Sequence, residues 1–161
     1  MPTLDDSRES DAKRVLLVCL ALVILNLALY ARAASFDFVG FDDGRILLAH
    51  PNLYDEDSLS SSLHEIFVGY FPREEPLLLR DVSWALEARL FGLRNPAAFH
   101  IGNVVLNALN VALLFLFLRH ATRRFALALA VAGVFSLLTV HVEPVCWVMG
   151  RKDMLAGFWM L

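Results

Sequence analysis

Apolar residues along this chain fall into three long runs separated by strongly polar stretches. VLLVCLALVILNLALY opens the first, FHIGNVVLNALNVALLFLFL forms the second and FALALAVAGVFSLLTVHV the third. A bilayer takes about 20 mostly apolar residues to cross, so the pattern predicts transmembrane helices over residues 15–35, 99–118 and 125–142. Arg32, near the end of the first, is expected to snorkel to the interface. A fourth apolar run over residues 154–161 reads as the truncated start of another span. The expected fold class is an all-α polytopic membrane protein, and the chain reads as the amino-terminal piece of a longer one that would be inactive alone.

Two weaker patterns at helical spacing occupy the polar stretch between the first two spans. SLSSSLHEIFVGYF places Leu59, Leu63, Ile66, Phe67, Tyr70 and Phe71 on one side, with Ser62 and Glu65 in capping-box relation. LLLRDVSWALEARLFG repeats the spacing with Leu79, Val82, Leu86 and Leu90, and Gly92 marks a stop before Asn95 and Pro96. Both predict amphipathic helices lying along the membrane surface, joined by the turn PREEP beside the exit of the first span.

Composition agrees with the pattern: 58% of residues are hydrophobic, 19% are charged and the mean hydropathy is +0.57. Those values exclude an ordinary soluble domain of this length, the lipid bilayer is a partner, and no nucleic-acid partner is expected. The net charge of -3 matters less than where Lys and Arg stand. Lys13 and Arg14 abut the first span, and Arg119, Arg123 and Arg124 lie in the link between the second and third. By the positive-inside rule both segments, 1–14 and 119–124, are cytoplasmic. Residues 36–98 and 143–153 are then extracytoplasmic, and the first of these carries eleven acids against five arginines. A competing reading takes Ala31–Arg32–Ala33 as a signal-peptide cleavage site; the acidic leader MPTLDDSRESD and the later spans count against it. Cys19 and Cys146 have neither the number nor the spacing of a disulfide framework or zinc site and read as packing residues.

Two polar constellations carry candidate chemistry. In FVGFDDGR, Asp42 and Asp43 are adjacent carboxylates held close to the interface by aromatic and aliphatic neighbours. Two such groups raise one another's proton affinity, as a general base needs, or share a metal ion; the alternative is a pair of solvated turn residues in Asp-Asp-Gly. In HVEPVCWVMGRKD, His141 and Glu143 stand at the outer end of the third span, and Arg151 and Lys152 at the mouth of the fourth. Ionisable residues near membrane depth are functional candidates, and a basic pair suits a phosphate at headgroup level. The alternative there is an interfacial charge cluster with a packing or capping histidine. His141 and Glu143 alone do not make a zinc site, since no third ligand is indicated.

FVGFDDGRILLAHPNL after a first span, LRDVSWALEARLFGLRNPAAFHIGNVVLNALN entering a second and HVEPVCWVMGRKDMLAGFWML leaving a third together resemble the amino-terminal part of the tetratricopeptide-repeat-containing O-mannosyltransferase-like membrane proteins of the GT-C glycosyltransferase superfamily. The resemblance runs over residues 15–161. It implies a GT-C-like polytopic enzyme that transfers a mannose-like sugar from a polyprenyl-phosphate donor to a hydroxyl of an acceptor protein or glycan on the outer face. It also implies that Asp42, paired with Asp43, is the catalytic base of an inverting displacement, and that His141 and Glu143 match the family's His-Glu element and Arg151 and Lys152 its basic pair, all in the substrate-binding set; the last two are assigned to the donor phosphate. Arg80, in the LRDVSW stretch, joins the substrate-binding set. The cofactor is unknown, a divalent metal being one option. Two stretches depart from the family pattern: Pro76 to Leu79 stand where it commonly has Tyr-Arg-Pro-Leu or Tyr-Leu-Pro-Leu, losing the tyrosine and the proline, and Thr139 and Val140 replace its His-Pro.

Three function classes follow. A lipid-linked glycosyltransferase depends on Asp42. A non-catalytic membrane scaffold, presenting tetratricopeptide repeats from a part of the protein outside this chain, fits the two departures and tolerates Asp42→Asn. A transporter would use Asn26, Asn103, Asn107 and Asn110 as a polar path, although hydrogen bonding between helices accounts for the same residues.

Overall fold

The computed structural model describes residues 4–40, 42–50, 53–55, 57–69 and 77–161. These residues contain helices and no strand: α1 (Leu4–Leu29), α2 (Leu59–Phe67), α3 (Leu78–Phe91), α4 (Pro96–Thr122), α5 (Phe125–Leu137), α6 (Val142–Cys146) and α7 (Arg151–Met160). A short 3₁₀ turn, Ala31–Ser35, follows α1, and a wide π-type turn, Asp43–Leu48, starts within the acidic pair. Glu9–Ser35 and Pro96–Thr122 are each long and apolar enough to cross a membrane.

The expected straight helix over 125–142 is instead broken. α5 ends at Leu137, Leu138 is extended, and the chain restarts through Thr139–His141 into α6, with a bend of 54° between the two pieces. Pro144 accounts for the restart, because proline is accepted in a first helical turn but clashes with the carbonyl four residues back in a helix interior. With α6 beginning at Val142, Pro144 falls in that first turn. Counted as one broken span, the pair brings the candidate crossings to three.

α1, α4 and α5 pack as a bundle around Leu22, Val111, Phe115, Ala128 and Ala132. The alanines let the helix backbones approach closely where lipid supplies no hydrophobic drive. Asn26 of α1 donates to Ser136 of α5 at 3.1 Å, and Asn107 of α4 donates to Asn26 at 2.9 Å. Asn103 donates to the Trp147 carbonyl at 2.7 Å and Asn110 to that of Met154 at 2.9 Å. The asparagine face of α4 therefore ties four elements together rather than standing open along a path. Cys19 packs beside the bundle core and Cys146 beside a second cluster of Tyr30, Ala33, Val104, Val145 and Met154; both are free thiols.

At one end of the bundle Arg119 pairs with Asp11, and Arg14 lies over the Phe125 ring at 4.9 Å. The link between α4 and α5 and the start of the first span thus share an end. The 27 residues of α4 put about 40 Å between that end and its start, where α2 and α3 sit.

α2 and α3 pack on the start of α4 through Ile66, Trp84, Ala85, Ala88, Leu93 and Phe99, with Tyr54 and Met149 completing the cluster. α2 is capped by Ser58, whose hydroxyl accepts the Ser61 N–H at 3.2 Å. Ser62, expected as the cap, is instead buried and accepts the Asp55 N–H at 2.8 Å. α3 ends as expected at Gly92, whose φ of 88° with ψ of 138° is open only to glycine. Leu79, Leu86 and Leu90 face outward while Arg80, Asp81, Trp84 and Ala88 face the protein, so the leucine stripe is available to a membrane surface. The PREEP turn, Tyr70 and Phe71 lie outside the described residues.

Candidate functional site

Asp42 and Asp43 stand at the start of the π-type turn in different environments. Asp43 is 0% exposed, whereas Asp42 is only half-buried. The alternative reading of solvated turn carboxylates therefore fails for Asp43. Its Oδ2 accepts the Val39 N–H at 2.8 Å, pinning the chain that leaves the first span, and its Oδ1 is buried without a hydrogen-bond partner. Burial pushes the Asp43 carboxyl above the usual aspartate range. The Val39 N–H, the His100 imidazole and the Trp147 indole pull it back, and the charge of Asp42 adds a smaller upward push.

His100 and Trp147 were not among the residues singled out from the sequence. His100 lies in the second turn of α4, 1% exposed, with its ring edge-on to Phe36 at 6.1 Å and its Nε2 3.4 Å from the Asp37 carbonyl. An ionisable residue at the start of an apolar run is a signal that could have flagged it. Trp147 follows α6; its indole N–H faces the Asp43 carboxylate outside hydrogen-bond geometry, and its carbonyl accepts from Asn103. Nothing in its local sequence marks it, because its role depends on a residue a hundred positions away.

Trp147 also borders a cleft of about 280 Å³ lined by Glu143, Pro144, Gly150, Lys152 and Asp153. The two constellations, remote in sequence, thus meet at one side chain. Glu143 and Lys152 are exposed there. His141 packs on Phe135 with ring centroids 4.1 Å apart and planes tilted by 42°, and is not among the residues lining that cleft.

Arg151 and Lys152, expected to act together, are separated by the turn of α7. Arg151 is 2% exposed and its guanidinium is committed inside the protein. Nε donates to Asn103, Nη1 to Ser83 at 3.2 Å, and Nη2 to both Glu87 at 2.8 Å and the Phe99 carbonyl at 2.9 Å. Burial raises the Glu87 carboxyl above its ordinary range, against the pull of Arg151. The approach of α3 to α4 depends on Gly102, since a Cβ there would overlap Glu87 and Arg151. Arg80 is likewise held internally: it pairs with Asp81 at 2.9 Å and lies over the Trp84 ring at 4.7 Å. Its side chain also borders an apolar groove of about 480 Å³ lined by Leu77 to Leu79, Lys152, Leu155 and Trp159.

Among the described residues no group of three or more His, Cys, Asp or Glu side chains gathers to hold a metal ion. No family model, curated protein or solved structure matches the chain.

Proposed function

We propose that the chain belongs to an integral-membrane glycosyltransferase that moves a sugar from a polyprenyl-phosphate donor to an acceptor hydroxyl, with the α2–α3 layer on the extracytoplasmic face and the start of α1 in the cytoplasm. The reading rests on the resemblance of its three quoted stretches to the O-mannosyltransferase-like proteins. The observation that carries it furthest is the meeting of the Asp42–Asp43 turn with the Lys152 cleft at Trp147.

In this mechanism Asp42, the more accessible carboxylate, takes the proton of the acceptor hydroxyl as its oxygen bonds to the anomeric carbon. The bond from that carbon to the phosphate oxygen breaks on the opposite face, giving inversion, and the lipid phosphate leaves with the electron pair. Lys152 supplies the positive charge that meets the phosphate. Arg151, its donors engaged by Asn103, Ser83, Glu87 and Phe99, holds α3 and α7 around the cleft instead. Asp43 anchors the turn that presents Asp42.

The test is transfer from a radiolabelled polyprenyl-phosphate sugar in membranes carrying the protein. Asp42→Asn abolishes transfer at unchanged protein level, and Lys152→Ala weakens donor binding. Transfer indifferent to Asp42→Asn would refute the assigned base. No transfer from any donor favours the second reading, a non-catalytic membrane scaffold, which is supported by the internal commitment of Arg80 and Arg151.

A further inference from the structure

The apolar groove between the start of α3 and α7 has a charged end and a greasy end. On α7, Lys152, Leu155, Ala156 and Trp159 follow one another at helical spacing along a single face, and all four border the groove. That face runs about 10 Å from the ammonium-bearing residue to the indole. Leu77, Leu78 and Leu79 make the opposite wall. Leu78, Leu79, Trp159 and Met160 are exposed, Trp159 by 67%, so the groove opens sideways along its length.

The direction of α7 sets the depth of each end. Arg151 bonds to Asn103 of the membrane-crossing α4, whereas Asn110, two turns further along α4, donates to the Met154 carbonyl and lies against Gly157. α7 therefore descends beside α4, with Lys152 nearest the α2–α3 layer and Trp159 deepest. A cation at headgroup level above an apolar channel is the arrangement that an anionic amphiphile needs in one leaflet of a bilayer.

Charge narrows the choice of head. Arg80 and Lys152 border the groove and, among the described residues, no carboxylate does; Asp81, which pairs with Arg80, is buried behind it. The amine of a zwitterionic head would find no counter-charge on these walls, whereas an acidic head meets Lys152. We propose that the groove seats one phospholipid with an acidic head, its phosphate at Lys152 and an acyl chain along Leu155 and Trp159. This does not rest on the glycosyl-transfer reading. Under that reading the phospholipid and the donor phosphate compete for Lys152, which borders both the groove and the cleft at Trp147.

The experiment is tryptophan fluorescence of the whole protein in vesicles of zwitterionic phospholipid that hold a small fraction of phospholipid brominated on its acyl chains, because bromine quenches an indole that it touches. At the same fraction, the acidic brominated lipid is expected to quench more than the zwitterionic one. The excess is lost in Trp159→Phe, which leaves two of the three tryptophans emitting, and in Lys152→Gln, and it survives in Lys152→Arg. Lys152 is exposed, so its variants keep the fold, checked by unchanged thermal unfolding. Equal quenching by the two heads overturns the proposal, as does an excess that persists in Lys152→Gln. A Trp159 that neither lipid quenches means that protein covers the groove, and overturns it too.

Discussion

Arg151 of α7 donates to Glu87 of α3 at 2.8 Å, beside Gly102 of α4, so that one ion pair fastens α3 to α7 against α4. Arg151 is the buried partner, and removing its counter-charge strands a cation. Glu87→Ala is expected to lower stability by about 3 kcal/mol, measured as thermal unfolding in detergent. Arg151→Met added to Glu87→Ala should recover part of that loss, since it removes the stranded charge. Strictly additive losses would mean that the two residues are not coupled.

Gly102 gives a second handle on the same junction. A side chain there must displace Glu87 or Arg151, so Gly102→Val is expected to cost about 1–3 kcal/mol through overpacking. The cost should shrink when Glu87 is already alanine, because the overlapping carboxylate is gone. Denaturant titrations of the single and double variants measure the difference, and an equal cost in both backgrounds would place the strain elsewhere.

Asp43 makes stability depend on pH in a stated direction. Its folded-state proton affinity is raised by burial, so the folded protein binds that proton more tightly than the unfolded chain does. The stability this contributes is full below the ordinary aspartate value, about pH 4, and is lost as pH rises through the raised folded value. Asp43→Asn lacks this dependence. The melting-temperature difference, wild type minus Asp43→Asn, is expected to fall on going upward from about pH 4; a difference that grows instead would show that the carboxyl is favoured in its charged form.

Asn107 and Ser136 both bond to Asn26, from α4 and α5 respectively. Asn107→Leu and Ser136→Ala should each cost about 1 kcal/mol of helix association, and their combination less than the sum, since they share a partner. Resistance to proteolysis in micelles reports the loss. Abolished solute uptake with packing unchanged would instead support the transport reading.

Much of the architecture was legible because burial in lipid demands long apolar runs, and such runs survive in a single sequence. The stop at Gly92 was legible too, because only glycine accepts its backbone geometry. The break at Leu138 was not, since Val140 and Val142 continue the apolar pattern and Pro144 constrains the helix only once its starting point is known. The cap of α2 was misplaced at Ser62, paired with Glu65, because a serine-rich stretch offers several hydroxyls; the burial of Ser62 against Asp55 leaves the capping to Ser58.

The candidate site divides in the same way. Sequence alone determined which segments are apolar and which residues bring charge to their ends: Asp42, Asp43, His141, Glu143, Arg151 and Lys152 are visible without a fold. Only the tertiary structure decided which charges face inward. Asp43 and Arg151 are buried while their neighbours Asp42 and Lys152 are not. Successive residues on a turn or helix point in different directions, so two adjacent like charges that look equivalent in one dimension are assigned opposite environments by the packing of α3, α4 and α7 around them.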